Sequence, residues 1–151
     1  MVGKIGRLII SQTSGKTILP RVTALDPAGP GFYPTPVVLF QKAISSSDAA
    51  FVDIIHTDGG KLGSIFSGGH VDFFVNGGTP VQPGCTTDVV ESFDITNACS
   101  HYRSWLYYSE SVLRPTAFPA VECNSWFDFS LTNFGCYRMA KGYLGYNTYK
   151  G

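Results

Sequence analysis

The chain has 151 residues, of which 44% are hydrophobic and 15% charged, and its eleven basic and eleven acidic side chains leave a formal net charge of zero. One ordinary domain is expected at that length, and the sparse, balanced charge excludes nucleic acid as a partner and gives no pull towards an anionic membrane surface. The 17 glycines and 9 prolines are scattered among apolar runs rather than gathered in a repeat, which reads as a loop-rich globular protein.

In chain order, Val2, Ile5, Ile9 and Ile10 fall near one helical face beside Gly3 and Gly6, the pattern of the tail of a helix. The apolar run Leu8–Ile10 is too short for the apolar region of a signal peptide, and no stretch approaches the roughly 20 apolar residues of a membrane span. Arg21–Leu25, RVTAL, predicts a short buried strand. DPAGPGFYPTP follows, with four prolines and two glycines in eleven residues, and it cannot continue a strand or a helix. Asp26 therefore stands immediately past a strand end, next to Pro27.

Phe51–Ile55 is mostly apolar and predicts a strand buried on both faces, closed by a glycine turn at Asp58. His70–Gly78, HVDFFVNGG, repeats that design. Three short apolar strands, each ending in polar and glycine residues, predict the core of an α/β sheet with functional loops at the strand ends. A helix is expected over Asn97–Leu113, with Ala98, Tyr102, Trp105, Leu106, Ser109 and Leu113 as its inward side and Pro115 as its stop. From Phe118 onward the chain is aromatic and glycine-bearing, suited to irregular strands against the edge of the sheet.

The cysteines, Cys85, Cys99, Cys123 and Cys136, are four in number and form no Cys-x-x-Cys pair, and no histidine stands at zinc-finger spacing from them. Disulfides fit better than free thiols or metal, which implies an oxidising compartment. Three connectivities are possible, of which sequential pairing closes the two shortest loops. His56, His70 and His101 and the strand-end aspartates Asp26, Asp58 and Asp72 are the candidates for acid–base work. Composition does not choose among them, and an aspartate beside a proline often does no more than cap a turn.

The ordered segments VTALDPAGPGF, DAAFVDIIHTDGG, GGHVDFFVNGGTPVQPGC and ACSHYRSWLYYSES strongly resemble the animal pancreatic-lipase family, including insect neutral lipases and phospholipase A1 enzymes. The likeness runs from Val2 to about Cys136. It implies an α/β-hydrolase fold with a triad in chain order Ser, Asp, His, in which Asp26 matches the acid and His101 the base. These two are the expected catalytic residues. Asp53, His56 and Asp58 match family positions expected to serve packing and loop hydrogen bonding, and His70 reads as structural. The resemblance also implies that Cys85 pairs with Cys99 to close a lid loop of 13 intervening residues. So short a lid tilts the expected substrate towards a phospholipid or small ester.

The nucleophile is missing from the pattern. Such enzymes hold their serine on a strained Gly-x-Ser-x-Gly turn, and neither Ser14 nor Ser67 stands between glycines at the required spacing. The opening MVGKIGR resembles the end of the family helix that follows that turn, AHxxGxxGR. The expectation is a single domain over residues 1–151, a partial α/β-hydrolase fold without its N-terminal strands, nucleophile elbow or oxyanion hole, and inactive as it stands. No cofactor or metal is expected, because the family's calcium loop finds only Asp48 among the residues of YPTPVVLFQKAISSSDAA. The expected partner is a lipid or small ester substrate, with peripheral contact at a lipid interface, and the expected location is extracellular. A non-catalytic lipid-binding or yolk-protein-like relative is the alternative, although such a protein has no need to retain both Asp26 and His101.

Overall fold

The computed structural model describes residues 19–32, 43–85, 98–127, 129 and 136–148. Three strands, β1 (Arg21–Leu25), β2 (Phe51–His56) and β3 (Val71–Phe74), form a parallel sheet in the order β1-β2-β3. Register is continuous from Arg21 opposite Phe51 to Leu25 opposite Ile55, and from Asp53 opposite Val71 to His56 opposite Phe74. The carboxyl ends of all three strands therefore lie along one edge. The expected helix tail at residues 2–10 and the expected lid at residues 86–97 lie outside the described residues.

The central strand explains why the sheet holds. Val52, Ile54 and Ile55 are completely buried, and Val22 and Ala49 close the core with Leu19, Ala24 and Ile44 packed against them. Each such Ile or Val contributes about 1.5–3 kcal/mol by leaving water. Asp53 is buried on the same strand, where two hydrogen bonds from Arg21 reach its carboxylate at 2.9 and 2.7 Å and the Thr23 hydroxyl adds a third at 2.8 Å. The same guanidinium donates to the carbonyls of Gly145 and Tyr146 at 2.8 and 2.6 Å. Arg21 thus fastens the segment after the last strand to β1.

The third strand is shorter than the expected His70–Gly78. After Phe74 the chain turns through a short 3-10 segment, Val75–Gly77, with Asn76 at φ 50°. His70 extends the pairing all the same: its amide donates to Val52 O at 2.7 Å and its Nδ1 accepts from Val52 N at 2.9 Å. That places it in the structural role expected of it.

The helix α1 runs from Cys99 to Leu113 and stops at Arg114 just before Pro115; of its expected inward side only Ala98, at its N-cap, is buried, and within the helix a different face turns inward. Ser100, Ser104 and Ser111 are buried, whereas Tyr102, Trp105, Leu106 and Leu113 are exposed. Close approach is the reason. Gly145, at φ 105°, packs directly on Ser111, whose hydroxyl accepts from Tyr146 N at 3.0 Å, and Ser100 Oγ accepts from Gln82 N at 3.1 Å. Ser111 is pressed against Gly145, and Ser100 is fully buried. Strands β4 (Pro119–Cys123) and β5 (Cys136–Tyr143) form a separate antiparallel pair with two register shifts, and the Cys123–Cys136 disulfide joins them. Among the described residues no helix is long and apolar enough to cross a membrane.

Candidate active site

Asp26 follows the last residue of β1 and adopts φ 44°, a left-handed conformation that aspartate tolerates better than most residues. The surrounding chain fixes it there. Its amide donates to Ile55 O at 2.7 Å, and its side chain is 1% exposed. Carboxylate Oδ1 accepts from the amides of Thr57 and Asp58 at 2.8 and 3.0 Å, the two residues just past β2. Gly63 lies flat against the carboxylate, where any Cβ would collide with both oxygens. The strand ends and the β2–β3 connection thus form a cradle for one carboxylate.

The other oxygen, Oδ2, lies 2.6 Å from His101 Nδ1, across 75 residues of sequence. His101 occupies the first turn of α1, two residues past Cys99. The Cys85–Cys99 disulfide ties that turn to the segment leaving β3. Gln82 braces the same junction: it is buried, its Nε2 donates to the carbonyls of Val75 and Thr79, and its Oε1 accepts from Asn76 Nδ2 and from Tyr107 on α1. No local pattern in the sequence singles out Gln82.

Because Asp26 accepts, His101 Nδ1 carries the hydrogen, and the neutral ring keeps its lone pair on Nε2, the arrangement of a general base. The hydrogen bond to Asp26 raises the pKa of His101 above the ordinary histidine value, opposed by partial burial and reinforced by the charges of Asp26 and Asp58. Asp58 is the third ionisable group at the site. Burial raises its pKa, a hydrogen bond from the Leu62 amide opposes that, and the charge of Asp26 adds to it.

Asp26, Asp58 and His101 present ligand atoms within 4.8 Å of one another. The two oxygens of Asp26 already hold three N–H donors, with which a cation there would compete. Asp48, the one carboxylate found where the family's calcium loop would lie, is buried and accepts from Ser45 N at 2.8 Å.

A parallel sheet whose strand-end loops bring a carboxylate to a distant histidine defines an α/β protein with a hydrogen-bonded aspartate–histidine pair at the carboxyl edge of its sheet. The chain belongs to the Lipase family, whose model matches residues 2–150. It is similar to pancreatic triacylglycerol lipase of Myocastor coypus, 38% identical over 158 residues that cover 94% of this chain and 32% of the relative. Pancreatic triacylglycerol lipase of Ictidomys tridecemlineatus is 39% identical, with 85% and 29% covered. Human pancreatic lipase-related protein 3 is 37% identical, with 82% and 29% covered. The chain thus spans about a third of the length of the curated relatives it matches. Family membership implies an α/β-hydrolase fold, with which the small sheets and flanking helix are consistent.

Proposed function

We propose that this chain supplies the acid and base of a Ser–Asp–His triad in a secreted carboxylic ester hydrolase of the lipase type, Asp26 orienting His101 and His101 serving as general base. The observation that carries the reading is the 2.6 Å contact between His101 Nδ1 and a buried Asp26 carboxylate already held by two backbone amides. A base oriented in that way removes the proton from a serine hydroxyl as it attacks an ester carbonyl, and later returns it to the leaving alcohol.

The serine is not among these 151 residues, which contain no Gly-x-Ser-x-Gly. Acting alone, the chain is inactive, since loss of the nucleophile costs on the order of a millionfold in turnover. We take residues 1–151 as one partial α/β-hydrolase domain, completed by a segment bearing the nucleophile and the oxyanion donors. Supporting this, β1 has a strand partner on one side only among the described residues. The two disulfides support an extracellular setting. The relatives' names favour a triacylglycerol substrate, whereas the short Cys85–Cys99 loop favours a phospholipid or small ester.

The test is to read the coding DNA immediately 5′ of the Met1 codon for an in-frame Gly-x-Ser-x-Gly, and to assay both the 151-residue chain and the extended chain. Chromogenic short-chain ester, triacylglycerol and phospholipid are the substrates. Activity confined to the extended chain and abolished by His101→Ala supports the proposal. An in-frame stop, together with a folded chain that binds lipid vesicles and cleaves none of the substrates, would replace it with a non-catalytic lipid-binding relative.

A further inference from the structure

The chain contains a second histidine–aspartate pair, which the triad does not use. His56, the last residue of β2, is completely buried, with Nδ1 2.9 Å from the Ser64 carbonyl and Nε2 2.9 Å from Asp72 Oδ1 on β3. Its ring stacks on Phe74 at 4.3 Å and 3°. The Ser64 carbonyl can only accept, so Nδ1 must donate. Asp72 in turn accepts from the amides of Gly68 and Gly69, the latter at 3.0 Å. With a carbonyl on one side and a carboxylate holding two amides on the other, a ring that donates from both nitrogens meets both contacts.

Both contacts lead to Asp26. The two residues after His56, Thr57 and Asp58, provide the amides that hold Asp26 Oδ1. Ser64, whose carbonyl takes the Nδ1 hydrogen, donates its own amide to Pro27 O at 2.9 Å, and the preceding Gly63 is the residue pressed on the Asp26 carboxylate. Asp72 and the amides of Gly68 and Gly69 close the far end of the same connection. We propose that His56 is a positioning residue for the Asp26–His101 couple, donating from both ring nitrogens to Ser64 and Asp72 so that the β2–β3 connection is clamped over the Asp26 carboxylate. This rests on the triad reading for its functional meaning, but not for its measurement.

The experiment uses the full 151-residue chain, labelled with ¹⁵N at histidine and observed by NMR, with His70→Gln to assign the ring signals. In the wild type, His56 is expected to show two protonated ring nitrogens, and His101 to titrate above the ordinary histidine value. His56→Phe keeps the stack on Phe74 but removes both donors, and is expected to return the His101 titration towards the ordinary value. Asp72→Asn gives a neutral ring a donor in place of an acceptor, so His56 is expected to change to one protonated nitrogen while His101 keeps its raised titration. That rescue is not what a general loosening of the core produces. A wild-type His56 with a lone pair on either nitrogen overturns the inference without need of any variant. A folded His56→Phe chain with an unchanged His101 overturns it as well. An ordinary titration of His101 in the wild type sinks the Asp26–His101 couple itself and this inference with it, a distinct failure.

Discussion

Asp26 Oδ2 and His101 Nδ1 stand 2.6 Å apart, one group buried and the other about one-third exposed, so the carboxylate is fixed by the protein and the imidazole reaches solvent. A buried carboxylate beside a partly exposed imidazole is the polarity that the proposed triad needs, because its base must meet both substrate and water.

The first prediction concerns the charge on His101. Its pKa is raised chiefly by the Asp26 hydrogen bond and last by the charge of Asp58. Asp26→Asn is therefore expected to lower the His101 titration midpoint by more than Asp58→Asn, as read from the ring resonances by NMR. An equal or reversed order would show that net charge, not the hydrogen bond, governs the imidazole.

The pH dependence of stability follows from the same shift. A histidine whose pKa is higher folded than unfolded binds the proton more tightly in the folded state. It stabilises fully below the unfolded value, about 6.5, and loses that contribution as pH rises through the folded value. The urea midpoint is expected to fall across that interval, and the fall attributable to His101 should be absent in His101→Gln. Asp58, raised by burial, gives the same sign at lower pH, its contribution declining upward from the ordinary aspartate range. A midpoint that rises through the histidine range in the wild type, and not in His101→Gln, contradicts the sign.

How much of this was legible beforehand depends on the reach of each interaction. Leu25-Asp26-Pro27 announces a strand end locally, and the run after Cys99 announces a helix, so both sides of the couple could be located from short segments. The bond between them spans 75 residues and came into view only through the family resemblance. The partnership of Arg21 with Asp53 depends on the β1–β2 register, which sets Thr23 opposite Asp53, and no local pattern encodes it. The buried face of α1 departs from its apolar stripe, which is normally the inward one. Here Gly145 packs on Ser111 and Gln82 bonds to Ser100, and these contacts from distant segments outweigh the periodicity. His56 and Asp72 were legible as polar residues at strand ends, but not as partners.

Gly63 offers a steric test of the cradle. Gly63→Ala forces a methyl group into the Asp26 carboxylate, and overpacking of this kind costs about 1–3 kcal/mol. Gly142→Ala is the control, because nothing lies within 4 Å of a Cβ there. Urea unfolding should separate the two, with Gly63→Ala also lowering the His101 titration midpoint and Gly142→Ala leaving it unchanged.

The Cys85–Cys99 disulfide bears on the histidine as well as on the fold. It closes a loop with a sequence separation of 14, for which constraint of the unfolded chain is worth about 3 kcal/mol. The double substitution Cys85→Ala with Cys99→Ala is expected to lower stability by about that amount in urea. It should also broaden or shift the His101 resonances, since Cys99 begins the turn that carries the ring. An unchanged His101 spectrum would assign the positioning of that turn to Gln82 and its four side-chain contacts.

Arg21 tests how the segment after the last strand is held to the sheet. The Asp53 carboxylate is buried, and Arg21 supplies two of its hydrogen bonds while reaching the carbonyls of Gly145 and Tyr146 with the same group. Arg21 is partly exposed but Asp53 is not, so removing the arginine leaves a buried carboxylate uncompensated, at a cost of about 3 kcal/mol, the low end for a buried pair. Arg21→Met is expected to lose that much. Arg21→Lys should recover only part of it, because an ammonium cannot match the planar fork that serves a carboxylate and two carbonyls together. Denaturant unfolding gives the totals, and amide exchange at Gly145 and Tyr146 locates the damage. Full recovery by lysine would reduce the contact to simple charge pairing, and an unprotected Tyr146 amide in both variants alongside native-like exchange in β2 would confirm that Arg21 acts as the fastening point of the terminal segment.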